Sequence, residues 1–97
     1  MSNKSYGLGY ERKRKQELIE SNYLTNRCRG SFGIFDIVAC NKQHLLLESV
    51  KSTKQKYYSF KSELKQIREF DNCPAGTVKR LILYHGGKLK ILYEDKI

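Results

Sequence analysis

Two charged residues interrupt stretches of sequence that otherwise have the composition of buried β-strands. Asp36 stands inside the apolar run GIFDIVAC, and Lys51 ends the run HLLLESVK. A charge within an apolar strand is costly unless it has a partner. Because only one short turn separates the two runs, we expect Asp36 and Lys51 to lie side by side on adjacent strands. A carboxylate and an ammonium group would then converge at one end of a sheet.

An acid and an amine in this arrangement suit the metal-dependent hydrolysis of a phosphodiester. A carboxylate provides the hard oxygen ligand that Mg²⁺ prefers. The ion lowers the pKa of a bound water and neutralises charge on the phosphate. A neighbouring lysine can orient that water or stabilise the transition state. The sequence offers no Ser-His-Asp set, Walker loop or pair of glycosidase carboxylates that would favour another chemistry.

The end of the second run leaves open which side chain accompanies Lys51 at this site. In a regular strand, Ser49 lies on the same face as Lys51, whereas Glu48 lies on the opposite face between two apolar neighbours. A charge is poorly placed there, and a β-bulge at Glu48 and Ser49 would instead bring the glutamate to the side of the lysine. We expect Ser49 to face the site, since regular pairing is the default.

The elements that must position these residues follow from the apolar periodicity, which predicts one helix, three strands, a second helix and two further strands. The predicted helices cover residues 10–21 and 60–70, with Ser59 as the N-cap of the second, and the predicted strands cover residues 23–28, 34–40, 44–51, 78–84 and 89–93. Phe60, Leu64, Ile67 and Phe70 form an apolar stripe on the second helix that should pack on the core. A sheet of about five strands covered by helices is an α/β or α+β fold.

The charge balance favours a polyanionic partner. The 97 residues include 19 Lys and Arg against 10 Asp and Glu, which gives a formal net charge of +9. Such a field suits nucleic acid or an acidic membrane surface. No predicted helix combines a bulky apolar face with a basic one, so we favour nucleic acid. The run RKRK at residues 12–15 of the first helix is a candidate for phosphate contact, although such runs are usually a solvated face.

Several other classes of protein are disfavoured by the sequence. The three cysteines form no CxxC pair, so neither a zinc knuckle nor a redox motif is indicated. The basic N-terminal stretch lacks the apolar core of a signal peptide, and the longest apolar runs are too short to cross a bilayer. We therefore expect one soluble, intracellular domain over residues 1–97, with no membrane association and no small-molecule cofactor.

Three stretches of the chain together resemble the PD-(D/E)xK nucleases, and specifically the archaeal-type Holliday junction resolvases. They are GYERKRKQELIESNY, RCRGSFGIFDIVA and LLLESVKSTK. The family has a glutamate in its first helix, a basic loop with two serines, an aspartate followed by two apolar residues and alanine, and a lysine on the next strand. These features fall on Glu11, on residues 27–31 with Cys28 replacing the first serine, on Asp36 and on Lys51. Where the family has Glu or Gln two residues before the lysine, this chain has Ser49.

This resemblance implies a restriction-endonuclease-like α/β fold, in which helices flank a central mixed sheet. It also implies a single nuclease domain that hydrolyses DNA phosphodiesters with Mg²⁺, or with Mn²⁺ as an alternative. The substrate would be branched DNA, above all the four-way (Holliday) junction, and the active form a homodimer. The implied location is the cytoplasm of an archaeon or of a virus-infected host cell.

The resemblance also assigns roles to the residues of the predicted site. Glu11 and Asp36 would be acidic metal ligands, and the backbone carbonyl of Val50 would be a further ligand. Lys51 would assist the attacking water. Ser49 occupies the place of the missing acidic ligand and could reach the metal directly or through water.

A second set of residues is predicted to contact DNA. The resemblance places Ser31 near the scissile phosphate. On charge and placement alone, Arg27, Arg29, Lys54 and Lys56 are further candidates for phosphate contacts.

Two alternatives remain open at the level of the sequence. The chain could be a non-catalytic DNA-binding module that kept the fold and the charge but lost metal competence at Ser49. It could also be a different nuclease of the same superfamily, acting on repair flaps or in restriction.

Overall fold

The helices and strands follow one another in the order that the sequence predicted. The computed structural model describes residues 3–27 and 34–97, and the side chains of residues 9–27 and 34–97. The helices are α1 (Asn3–Glu20) and α2 (Lys61–Glu69), and the strands are β1 (Leu24–Arg27), β2 (Ile37–Cys40), β3 (Leu45–Thr53), β4 (Thr77–His85) and β5 (Lys88–Lys96). The bounds agree with the predicted ones to within a few residues, except that α1 begins well before residue 10.

The predicted cap of the second helix is wrong. Phe60, not Ser59, occupies the N-cap position of α2, and no side chain caps this end. The Phe60 carbonyl accepts a hydrogen bond from the Leu64 amide at 2.8 Å, which closes the first turn one residue later than expected. The apolar packing of Phe60, rather than a polar capping side chain, therefore marks where α2 begins.

The five strands form one mixed sheet in the order β1-β2-β3-β4-β5. Neighbouring strands are antiparallel except β3 and β4, which are parallel. Parallel neighbours need a crossover connection, and α2 supplies it. The predicted α/β fold with a mixed five-stranded sheet is thereby confirmed.

The α2 face of the sheet is closed by apolar packing. Ile67 is fully buried in a cluster with Phe35, Leu47 and Leu81, and the other three residues of the predicted stripe pack against this cluster. The stripe is therefore confirmed as a core contact. Lys79, from β4, ends the helix: its buried ammonium group donates to the carbonyls of Ile67 at 2.7 Å and Phe70 at 2.8 Å.

The α1 face is closed in a different way. Within the described part of α1, Leu18 is the one buried apolar side chain. Tyr10 stacks on Tyr84 of β4 with ring centroids 4.6 Å apart, and the Tyr84 hydroxyl donates to Glu17 at 2.8 Å. Polar and aromatic contacts thus supplement a small apolar contact and set the position of α1 on the sheet.

Helix α1 ends in a turn that leads directly into β1. Asn22 adopts a left-handed backbone conformation with φ of 69°. The amides of Asn22 and Tyr23 donate back to the carbonyls of Ile19 and Leu18, a common way to satisfy the last turn of a helix.

No helix in the described part of the chain is long and apolar enough to span a membrane.

Candidate active site

Asp36 is held at the start of β2 against the backbone of β3. Its amide donates to the Glu48 carbonyl at 2.8 Å, and its carboxylate oxygen Oδ2 accepts a hydrogen bond from the Val50 amide at 2.7 Å. The residue lies in a bend just before Ile37, not within the strand as predicted. These two hydrogen bonds fix the carboxylate beside the C-terminal half of β3.

Glu11 and Lys51 lie within electrostatic reach of this carboxylate. Burial raises the pKa of Glu11, and the negative charge of Asp36 raises it further, whereas Arg27 and Lys51 oppose the shift. Burial likewise raises the pKa of Asp36, opposed by the Val50 amide and by Lys51. The charges of Glu11, Asp36 and Lys51 therefore influence one another, and their joint role in a site stays a prediction.

The register of β3 shows which of Ser49 and Glu48 lies on the same face of the strand as Lys51. Its pairing with β4 is unbroken from Leu45 to Thr53, so the strand has no bulge at Glu48. The Ser49 hydroxyl donates a hydrogen bond to the carbonyl of Ile34, and Leu46 and Val50, on the opposite face of β3, pack in the cluster with Leu18 of α1. Ser49 is therefore on the Lys51 side of the strand, and Glu48 is on the other side.

Glu48 has a structural partner that the sequence analysis missed. Its side chain has no exposed surface, and it accepts two hydrogen bonds from Arg14 of α1, Nε to Oε1 at 2.7 Å and Nη2 to Oε2 at 2.8 Å. Arg80 of β4 adds a third contact, Nη1 to Oε2 at 3.2 Å. Burial opposes the charged form of Arg14, but the hydrogen bonds that it donates to Glu48 and the negative charge of Glu48 outweigh burial and raise the pKa of Arg14.

The Arg14–Glu48 pair corrects two expectations. A glutamate on this face is not misplaced, because two arginines neutralise it. The basic run at residues 12–15 is not a uniform phosphate-binding face either, since Arg14 is buried and occupied by Glu48. The partners are 34 residues apart in the chain, so no local pattern signals the pair.

The acidic residues present fit a hard divalent cation. Among the described residues, no cluster of three or more His, Cys, Asp and Glu side chains could hold a metal ion. Mg²⁺ often takes only one or two carboxylates and keeps several waters. Glu11 and Asp36 would meet that need, and the neutral oxygens of Ser49 and Val50 stay predicted ligands. A cation between the carboxylates would also offset the repulsion that raises the pKa of Glu11.

The residues predicted to contact DNA are divided by the structure. Arg27 ends β1 beside the site, with its Nε 3.8 Å from Glu11 Oε1, and within the described residues this Nε has no hydrogen-bond partner. Lys54 and Lys56 are exposed in the loop that follows β3. Arg29 and Ser31 lie outside the described residues.

Comparison with known proteins adds an independent observation. No family model and no curated protein matched the sequence. Among solved structures, the chain is similar to the Holliday junction resolvase Hjc of Archaeoglobus fulgidus, an archaeal hyperthermophile. The two share 27% sequence identity with a TM-score of 0.63, over 84% of this chain and 71% of Hjc.

This similarity confirms the resemblance to the archaeal-type Holliday junction resolvases. It also confirms the restriction-endonuclease-like fold, since the mixed sheet between two helices is consistent with the fold of the resolvase. The roles of individual residues in catalysis and in metal binding stay predictions.

Proposed function

We propose that this protein is a metal-dependent, structure-specific DNA endonuclease that cuts four-way junctions. The observation that carries the proposal is the carboxylate of Asp36, held on the Val50 amide and within electrostatic reach of Glu11 and Lys51. The similarity to a Holliday junction resolvase supports the substrate class, and the net charge of +9 supports a nucleic-acid partner.

The cation would be Mg²⁺, with Mn²⁺ as an alternative. Glu11 and Asp36 would hold it through their carboxylates, with the Val50 carbonyl and the Ser49 hydroxyl as neutral ligands. When bound, such an ion supplies an acidified water and neutralises charge on the phosphate.

The chain's own groups would position the reactants. Lys51 would hold the attacking water and place a positive charge beside the phosphate oxygens. The Val50 amide keeps the Asp36 carboxylate in one orientation. Arg27, Lys54 and Lys56, together with Arg29 and Ser31, would bind the DNA backbone on either side of the scissile phosphate. Since a junction is resolved by two cuts, a homodimer with two such sites is the assembly we propose.

A nicking assay on a labelled synthetic four-way junction tests the proposal. We expect nicks in the presence of Mg²⁺ or Mn²⁺ and none with a chelator. Asp36→Asn and Lys51→Ala should each abolish nicking while the variants still fold and bind the junction. Asp71→Asn and Lys42→Ala, which change exposed residues outside the site, are the matched controls and should cut like the wild type. Undiminished nicking by Asp36→Asn would contradict the proposal.

A non-catalytic DNA-binding role is the second candidate, and one observation favours it. Glu48 is bound by Arg14, and Ser49, whose hydroxyl donates to Ile34, stands where the similar family has Glu or Gln. Junction binding without nicking under both metals would support this alternative. A third reading, another nuclease of the superfamily, predicts that linear duplex or flap substrates are cut faster than the junction.

A further inference from the structure

The loop between β3 and α2 presents an aromatic ring to solvent. Tyr57 is 81% exposed, more than any other large apolar side chain in the part of the chain that the structure describes. The next residue, Tyr58, is partly covered: its ring packs at 5.7 Å from that of Phe60 and at 5.3 Å from that of His85. Tyr57 therefore projects while its neighbour holds the loop to the body of the protein.

The backbone before Tyr57 is tied down as well. The Gln55 amide donates to Thr53 Oγ1 at 3.1 Å, and His85 Nε2 lies 2.8 Å from the Gln55 carbonyl oxygen. The Gly86 amide donates to the Thr53 carbonyl at 3.2 Å, which links the loop to the β4–β5 turn. An exposed ring on a braced loop can bind a partner with little loss of conformational entropy.

A positive charge lies over this ring. The ammonium group of Lys56 lies 5.6 Å from the centroid of the Tyr57 ring. Lys54 precedes it in the same loop, and α2 begins with Lys61. An aromatic face beside lysines is the combination that binds nucleic acid through base stacking and phosphate contact together.

The loop also follows the C-terminal end of β3, the strand that carries Lys51 of the candidate active site. Lys51 lies two residues before Thr53, the last residue of β3, and the Asp36 carboxylate accepts a hydrogen bond from the amide of Val50. The loop therefore begins shortly after Lys51 along the chain.

We propose that Tyr57 stacks on a base exposed at the branch of a four-way junction, with Lys56 on an adjoining phosphate. The branch interrupts the continuous base stack, whereas the interior of a linear duplex leaves no base face open to an aromatic side chain. Tyr57 would thus select branched over linear DNA. The inference rests on the proposed function, which it deepens by naming the feature of the substrate that is recognised.

Equilibrium binding without divalent metal tests this inference separately from cleavage. The full chain is titrated onto a four-way junction and onto a linear duplex of the same sequence at one salt concentration. Tyr57→Ala should weaken junction binding about tenfold, equivalent to about 1.4 kcal/mol, and leave duplex binding unchanged. Tyr57→Trp should retain the preference for the junction. Leu24→Ala, which changes a nearly as exposed apolar residue on β1, is the control and should change neither affinity.

The charged neighbour should behave differently from the ring. Lys56→Gln should weaken binding to both DNAs and reduce the dependence of affinity on salt by about one counterion. Equal weakening of junction and duplex binding by Tyr57→Ala would overturn the inference, because the ring would then not be reading the branch.

Photocrosslinking of the unmodified chain provides a second test that needs no variant. Iodouracil is placed either at the branch or in the middle of an arm, and the crosslinked residue is identified by mass spectrometry. Crosslinks to Tyr57 from the branch position alone support the inference. Crosslinks from the branch to other residues only, or no difference between the two positions, overturn it. If the chain binds and crosslinks in this way but never nicks, the cleavage proposal fails while the stacking site stands.

Discussion

The two helices cover opposite faces of one sheet by different physical means. On the α2 face, a stripe of four apolar side chains inserts into a cluster around Ile67. On the α1 face, the helix contributes Leu18 to the apolar cluster and relies on the Arg14–Glu48 pair and on Tyr84 for the rest. Apolar packing tolerates small displacements, whereas two parallel hydrogen bonds fix both position and angle.

The difference has a consequence for the candidate site. Glu11 comes from α1, three residues before Arg14, so the Arg14–Glu48 pair sets where Glu11 stands relative to Asp36. Helix α1, which hydrogen bonds hold in position, carries a site residue, whereas α2, which apolar packing holds, forms the crossover between β3 and β4. Mutations on the α1 face should therefore affect both stability and nicking, whereas mutations on the α2 face should affect stability alone.

The largest effect is expected from Arg14→Ala. The change leaves Glu48 buried with only Arg80 beside it, and removing one partner of a buried ion pair typically costs about 3–5 kcal/mol. The free energy of unfolding measured in urea should fall by about that amount. Arg12→Ala, an exposed arginine in the same helix, should change it by less than about 0.5 kcal/mol. A loss below about 1 kcal/mol for Arg14→Ala would mean that α1 is not held by this pair.

Replacing both Arg14 and Glu48 tests whether the pair positions Glu11 as well as stabilising the fold. The double variant Arg14→Met, Glu48→Leu should recover most of the lost stability, because apolar residues of similar volume often replace a buried pair without cost. If the pair positions Glu11, this variant should fold well and yet nick the junction more slowly than the wild type. Full activity would show that the pair has no positioning role.

On the α2 face, Ile67→Ala should cost about 3 kcal/mol. It removes a fully buried side chain and leaves a cavity against Phe35 and Leu81. The loss should be insensitive to salt, and the neighbouring exposed Lys65→Ala should be close to neutral. A loss that depends strongly on ionic strength would contradict the assignment of this face to apolar packing.

The smallest effect concerns pH. The pKa values of Asp36 and Glu11 are raised in the folded state, chiefly by burial. The folded protein therefore binds more protons than the unfolded chain between the ordinary and the raised values, and its stability without metal should fall as the pH rises through that range. Asp36→Asn should remove part of this slope and stabilise the metal-free protein at neutral pH.

Melting temperatures across the pH range measure this slope, with Asp71→Asn as the control. The same carboxylates must lose their protons to bind a cation, so metal affinity should decline on acidification sooner than ordinary carboxylates would require. A wild-type protein that grows steadily more stable through the same range would contradict the raised values.

The sequence predicted the parts of this molecule that depend on local patterns. The stripe from Phe60 to Phe70 and the alternation along β3 are periodic, so α2 and the side of β3 occupied by Ser49 could be anticipated. The early start of α1 could not, because Gly7 and Gly9 are poor helix formers and no apolar period marks that stretch.

The contacts that were missed join residues distant in the chain or use the backbone. Arg14 and Glu48 meet only after the sheet has formed, and Lys79 binds carbonyl groups, which any residue carries. The Val50 amide that holds Asp36 is equally invisible in the sequence. Hydrogen bonds of this kind depend on the folded structure and cannot be inferred from residue types alone.

The central claim is that Glu48 is a structural carboxylate bound by Arg14, whereas Asp36, Glu11 and Lys51 form the reactive group. A crystal soaked in Mn²⁺ and measured for anomalous scattering tests it most directly. We predict an ion between the carboxylates of Asp36 and Glu11, with Arg14 still bound to Glu48. An ion coordinated by Glu48, with Arg14 displaced, would contradict it.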